Sequence, residues 1–222
     1  MLPLKVWIYR IIVRNKQLHR VTVQKIPSAI SADPVVVAYG RLVILGGDQR
    51  RLNEEVIVAG GSLREGRFKR LNVLELNRIL REATAESVPN TVCQKLVALW
   101  DTYAEPLKAS LERRMGDRQQ SLEKQLQDRQ EQEIKDIQTI LLELQRSIEK
   151  ELEESHQPQQ LSLFTSEEKE QFERNRKALQ LRLEQIPQEI ERETEVIRQR
   201  FANPTPRLFP LAIAFLVPPR IF

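Results

Sequence analysis

The chain has 222 residues, 41% of them hydrophobic and 30% charged, with a formal net charge of +4, the composition of a soluble protein of one large domain or two small ones. Cys93 is the only cysteine, which excludes an intrachain disulfide, and His19 and His156 stand too far apart for the spacing of a structural zinc site. A reducing, cytoplasmic compartment is expected, and neither a metal nor a cofactor.

Charge is uneven along the chain. Residues 1–90 hold 15 Lys/Arg against 8 Asp/Glu, whereas 91–222 hold 20 against 23, so the positive surplus lies at the front. Such a surplus suits nucleic acid or another anionic partner. Lys5, Arg10 and Arg14 interrupt the apolar start and no small-residue cleavage site follows, so no signal peptide is expected. The apolar run Leu208–Val217 is too short to cross a bilayer.

From Leu4 to about Leu71 the residues have β character. Val6, Ile8, Ile11 and Val13, then Val21, Val23 and Ile26, then Val35 to Tyr39 are β-branched and aromatic clusters of strand length. Six of the seven glycines fall between Gly40 and Gly66, a density that marks turns between short strands at Leu42–Leu45, Glu55–Ala59 and around Arg67–Val73. The intervals leave no room for crossover helices, so a small antiparallel sheet is expected.

Beyond Asn72 the pattern turns helical. Leu74, Leu76, Ile79 and Leu80 predict a helix over Leu74–Ala83. Ser87, Pro89 and Asn90 form a turn, and Val92, Leu96, Leu99, Trp100 and Tyr103 predict a second helix over Val92–Tyr103. Pro106 either kinks that helix or sits in the first turn of the next.

From Pro106 to Phe201 the chain is densely charged and carries an apolar stripe at steps of three and four. Leu111, Met115, Leu122, Leu126, Ile134, Ile137, Leu141, Leu144, Ile148 and Leu152 form one seam. Phe172, Leu179, Leu183, Ile186, Ile190, Ile197 and Phe201 form another. Two seams joined by a polar connector predict an antiparallel helical hairpin packed as a coiled coil, its first arm about 70 Å long and therefore projecting. Leu161, Leu163 and Phe164 are expected to fold back on the tip. Thr165 with Glu168 fits a capping box opening the second arm, and Pro187 is expected to kink that arm.

Asn203, Pro204 and Pro206 stop the helix, and Arg207–Val217 reads as a concentrated apolar strand. One strand cannot stand alone, so its partner is expected in the N-terminal sheet. The fold class is thus α+β: a small antiparallel β-rich base with two capping helices (1–105), a projecting antiparallel coiled-coil hairpin (106–201) and a C-terminal strand returning to the base (202–222). Pairing of the arms within one chain is favoured over a dimeric zipper.

Gly46-Gly47-Asp48 and Ala59-Gly60-Gly61 lack the spacing of a phosphate-binding loop and read as turn glycines. Glu54 and Glu55 form either a carboxylate pair or an exposed strand end, and Cys93 reads as a small core residue. No catalytic residue is assigned. The candidate binding site is the basic set Arg50, Arg51, Arg64, Arg67, Lys69 and Arg70. On short strands these side chains would present one cationic face to the phosphates of DNA; the same residues also fit an ordinary solvated sheet face.

Three stretches carry a resemblance: GRLVILGGDQRRLNEEVIVAGGSLREGRFKRL (40–71), QQLSLFTSEEKEQFERNRKALQLRLEQIPQEIERE (159–193) and RLFPLAIAFLVP (207–218). Together, and in this order, they resemble the C-terminal region of the Swi/Snf-like helicase of the bacterial DISARM phage-defence system. In that family the ATPase motor lies upstream of such a region, and no motor motif is present in this chain. The resemblance implies a non-catalytic accessory or C-terminal module of a DNA-acting helicase, with the motor or other defence-system proteins as partners and DNA as a further contact. The alternative expectation is a structural coiled-coil adaptor that tethers partners without touching nucleic acid.

Overall fold

The computed structural model describes residues 21–84, 86, 88–154 and 165–221. The expected strands within 4–13, Ser87, the connector 155–164 with Leu161, Leu163 and Phe164, and both histidines lie outside the described residues.

The fold is α+β. In chain order the elements are β1 (Val21–Lys25), β2 (Val35–Leu45), β3 (Arg51–Arg64), β4 (Arg67–Arg70), α1 (Val73–Arg81), α2 (Asn90–Ala98), α3 (Trp100–Glu154), α4 (Ser166–Phe201) and β5 (Thr205–Val217), followed by a 3₁₀ turn at Pro219–Ile221. Two compact units emerge. Among the described residues, one comprises 21–45, 51–84, 86, 88–122 and 205–221, and the other comprises 46–50, 123–154 and 165–204.

The first unit holds a five-stranded sheet in the order β1-β5-β2-β3-β4. The terminal strand does return to the base, and it enters the interior of the sheet, antiparallel to β2 on one side and parallel to β1 on the other. The sheet is therefore mixed, with one parallel pair among antiparallel ones. Strands expected as separate pieces are continuous: Val35–Tyr39 and Leu42–Leu45 join through Gly40, and Glu55–Ala59 lies within the 14-residue β3. Gly40 is no turn. A Cβ there would stand 2.7 Å from Leu208 Cδ1 and 3.2 Å from Leu111 Cδ2, so the missing side chain lets neighbouring elements close on the strand. The tight β3–β4 turn uses positive φ at Glu65 (50°) and Gly66 (74°).

Alternation along the strands sends successive side chains to opposite faces. On one face Ile26, Val35, Val37, Ala214 and Leu216 pack with Leu76 and Ile79 of α1. A capping box between Asn72 and Glu75 starts α1 by satisfying backbone donors at its first turn. Leu74 was expected among its apolar positions but is exposed, because it lies about 200° around the helix from Leu76.

On the other face Tyr103, Leu107 and Leu111 of α3 are buried, with Tyr103 edge-on to Phe215 of β5 at 5.9 Å between centroids. The single helix expected over Val92–Tyr103 is two: α2 ends at Ala98 and α3 starts at Trp100. The Tyr103 hydroxyl donates to the Leu96 carbonyl at 2.6 Å, satisfying one of the acceptors that a helix end leaves open. Burial pushes the ionisation of this phenol well above its ordinary range. Pro106 lies inside α3, beyond its first turn, and so does not occupy the first turn of a following helix. The buried faces of Leu107 and Leu111 hold the helix together past the missing donor.

The second unit is an antiparallel helical hairpin. Leu141 and Ile148 of α3 pack with Ile186 of α4, flanked by Ile137, Leu152, Leu179, Leu183 and Ile190. Near the C-terminal end of α4, Arg200 Nη1 meets Glu133 Oε2 at 3.1 Å, and Arg129 lies over the Phe201 ring at 5.7 Å. The end of α4 therefore lies beside residues 129–133 and its middle beside 141–148, which fixes the antiparallel sense. The expected capping box is present, Thr165 N–H donating to Glu168 Oε2 at 2.7 Å and Glu168 N–H to Thr165 Oγ1 at 3.3 Å. Gly46 and Gly47 belong to this unit. Their backbone lies against the end of α4, where Gly47 N–H donates to the Arg200 carbonyl at 3.1 Å, and a Cβ on Gly46 would stand 1.9 Å from that carbonyl oxygen. Close approach explains these two glycines.

Candidate nucleic-acid interface

The six basic residues expected to act together divide into four groups. β3 spans from Arg51 to Arg64, roughly 40 Å at the rise of an extended strand, so Arg51 cannot join the residues at the other end. It pairs with Glu54, which also meets Arg41 Nη1 at 3.6 Å. Arg50 belongs to the hairpin unit, where its Nε lies 3.7 Å from Asp48. Arg70 turns to the α3 side of the sheet and reaches Asp117 at 3.5 Å. The single cationic face read from the sequence is thereby corrected.

Arg64, Arg67 and Lys69 remain together at the β3–β4 hairpin. Arg64 is registered opposite Arg67 and Ser62 opposite Lys69, and the period of two along each strand puts all three basic side chains on one face. All three are exposed. Arg64 makes only a 4.0 Å contact with its neighbour Glu65, and neither Arg67 nor Lys69 has a carboxylate partner among the described residues. Phe68 points to the opposite face, where its ring packs on Gly61: a Cβ there would stand 2.5 Å from Phe68 Cζ. This aromatic is consequently spent on packing.

Glu54 and Glu55 are not a working carboxylate pair. Adjacent in a strand, they point to opposite faces, Glu54 held by Arg51 and Arg41 and Glu55 by Arg118. Arg118 of α3 grips Glu55 with two bonds, Nε to Oε1 at 2.6 Å and Nη2 to Oε2 at 2.7 Å, in a fork geometry that also holds the guanidinium above its ordinary pKa. Cys93 is half-buried on α2. Among the described residues no group of three or more His, Cys, Asp and Glu side chains could hold a metal ion, and no helix is long and apolar enough to cross a membrane.

Sequence reasoning missed a second surface. Arg41 of β2 is registered opposite both Val56 of β3 and Phe209 of β5, so the three form one row across the sheet. Val56 is 58% exposed and Phe209 42%, and the Arg41 guanidinium lies over the Phe209 ring at 5.0 Å from its centroid. Arg207, two residues before Phe209, is exposed and has no ion-pair partner among the described residues. A signal existed in the alternation of Arg207, Leu208 and Phe209, which puts a cation and an aromatic on one face of a strand and a half-buried leucine on the other. The concentrated apolar run that follows masks it.

Compared with known protein-family models and with curated proteins, the chain matches none.

Proposed function

We propose that this chain is a non-catalytic accessory module of a Swi/Snf-like, DNA-acting helicase of an anti-phage defence system, and that it contacts duplex DNA through the β3–β4 hairpin. The resemblance of the three quoted stretches supplies the system. One observation supports the contact: Arg64, Arg67 and Lys69 converge on one exposed face, and two of them lack a neutralising carboxylate among the described residues. Cations left unpaired at a surface reward phosphate without reading sequence.

Charge reversal at Arg67 and Lys69 tests this directly. Wild-type protein titrated against a fluorescent duplex at several salt concentrations is expected to bind with a clear salt dependence. Arg67→Glu with Lys69→Glu should weaken binding and lower the slope of log affinity against log salt by about two, one for each phosphate no longer neutralised. Arg70 is left intact because its partner is Asp117. A duplex that binds the reversed variant as tightly as wild type rejects the reading.

The second reading is a tether that holds partner proteins through the hairpin unit. It is favoured by Ile140, Leu142, Leu144, Leu181 and Val196, apolar side chains left exposed on the two arms. On this reading charge reversal at the β3–β4 hairpin changes no partner interaction, whereas Ile140→Lys with Val196→Lys abolishes capture of a helicase motor.

A further inference from the structure

We infer that the row Val56, Arg41 and Phe209, with Arg207 beside it, is a binding face for single-stranded nucleic acid, distinct from the duplex contact of the β3–β4 hairpin. The inference deepens the proposed function and rests on it for the presence of DNA. It begins from coverage. The strands β2, β3 and β5 have 11, 14 and 13 residues, while α1, which packs on this face, has only nine. At about 1.5 Å per residue that helix spans about 14 Å, against roughly 40 Å of strand. Its packing ends with Val35, Val37, Tyr39 and Val58, and the next row along the same face is Val56, Arg41 and Phe209.

The exposed row has what an unpaired base needs. Guanidinium planes and aromatic rings are both platforms on which bases stack, and here one lies over the other. Arg41 is held in place from the side by Glu54 at 3.6 Å, so the stack is oriented before any ligand arrives. Arg207, unpaired and two residues along β5, supplies a cation for the phosphate that follows the stacked base. Charge complementarity favours an anion, since Arg41, Arg51 and Arg207 outnumber the carboxylate of Glu54 among the described residues on this part of the sheet. An acidic peptide shares that charge, but strand addition needs a free edge, and this row lies on the face of strands already bonded to their neighbours. Duplex DNA hides its bases within the stack and offers nothing to a ring.

The test is fluorescence anisotropy of the whole chain with labelled oligo-dT of about 20 nucleotides, long enough to exceed one single-strand site, and with a duplex of the same length, both at low salt. Wild type is expected to bind both. Phe209→Ala should weaken the oligo-dT complex by about fivefold or more while leaving the duplex within about twofold. Phe209→Leu, which keeps apolar volume and guards against simple misfolding, should show the same selective loss. Arg207→Gln should lower the salt slope for oligo-dT by about 0.7. Oligo-dT affinity unmoved by both Phe209 variants overturns the inference, as does displacement of oligo-dT by oligo-glutamate at equal concentration. If Arg67→Glu with Lys69→Glu still weakens duplex binding in that case, the proposed function stands and only this face is wrong. Binding of neither nucleic acid by wild type removes both.

Discussion

The sheet unit and the helical hairpin stabilise themselves on different scales of sequence. In the hairpin, residues three and four apart on each arm make a seam, with Leu141, Ile148 and Ile186 as a small buried cluster among partly exposed neighbours, and Leu126, Ile197 and Phe201 buried further along it. In the sheet unit, Val35, Leu76, Ala214 and Leu216 come from opposite ends of the chain, and several are wholly buried. A thin local seam tolerates change, while a core assembled from distant segments depends on each of them. The difference also separates the work of the two units: the sheet presents cations and an aromatic at fixed register, and the hairpin presents a long mixed-charge surface.

The sharpest way to break this comparison is truncation of one core residue in each unit, followed by urea denaturation monitored by circular dichroism. Leu216→Ala, in an interior strand packed on both sides, should cost about 4 kcal/mol. Ile186→Ala should cost about 2 kcal/mol, because the arms around it can close on the cavity. Equal losses would show the hairpin seam to be as tightly packed as the sheet core. Next in size is the Glu55–Arg118 link between β3 and α3. A double-mutant cycle with alanine at each position should give a coupling of about 1 kcal/mol, modest because both side chains remain partly solvated.

A smaller effect with the opposite sign is expected in the hairpin. Thr194 is buried and its hydroxyl has no hydrogen-bond partner among the described residues. Replacing it by valine removes the unmet polar group at similar shape, so Thr194→Val should raise stability by about 0.5–1 kcal/mol in the same urea experiment. Smallest is the pH response of the cap of α4. Hydrogen bonds from the Thr165 backbone and side chain hold the Glu168 carboxyl below its ordinary pKa. A depressed folded-state value means that this contribution is present above the unfolded pKa and is lost as pH falls through the folded one. Thr165→Ala removes the side-chain bond and keeps the backbone donor, so the Glu168 titration, followed by NMR, should move part of the way toward that of an ordinary glutamate; an unchanged midpoint would show that the hydroxyl plays no part.

How much was legible follows from the same contrast. The hairpin was readable because its periodicity is local: the stripe from Ile137 to Leu152, the capping box at Thr165 and Glu168 and the stop after Phe201 all lie within a few residues of what they control. The sheet was readable in content but not in arrangement. Nothing in Arg207–Val217 announces that the last strand lies between the first two, or that Gly40 sits inside a strand where a leucine from another helix closes on it. Site residues fared likewise. Arg64, Arg67 and Lys69 are near neighbours across one hairpin, so proximity in sequence is also proximity in space, but Arg50, Arg51 and Arg70 were grouped with them by sequence and are separated by strand length and face.

By itself, then, the sequence determined the α+β class, the two helical arms and their antiparallel pairing, because helix periodicity, caps and stops act over one or two turns. Only the tertiary structure decided the order of the sheet, the partners of each arginine and the exposed row of Val56, Arg41 and Phe209. Strand pairing is a non-local choice, and the alternation of a strand fixes which residues share a face without saying which strand will lie alongside.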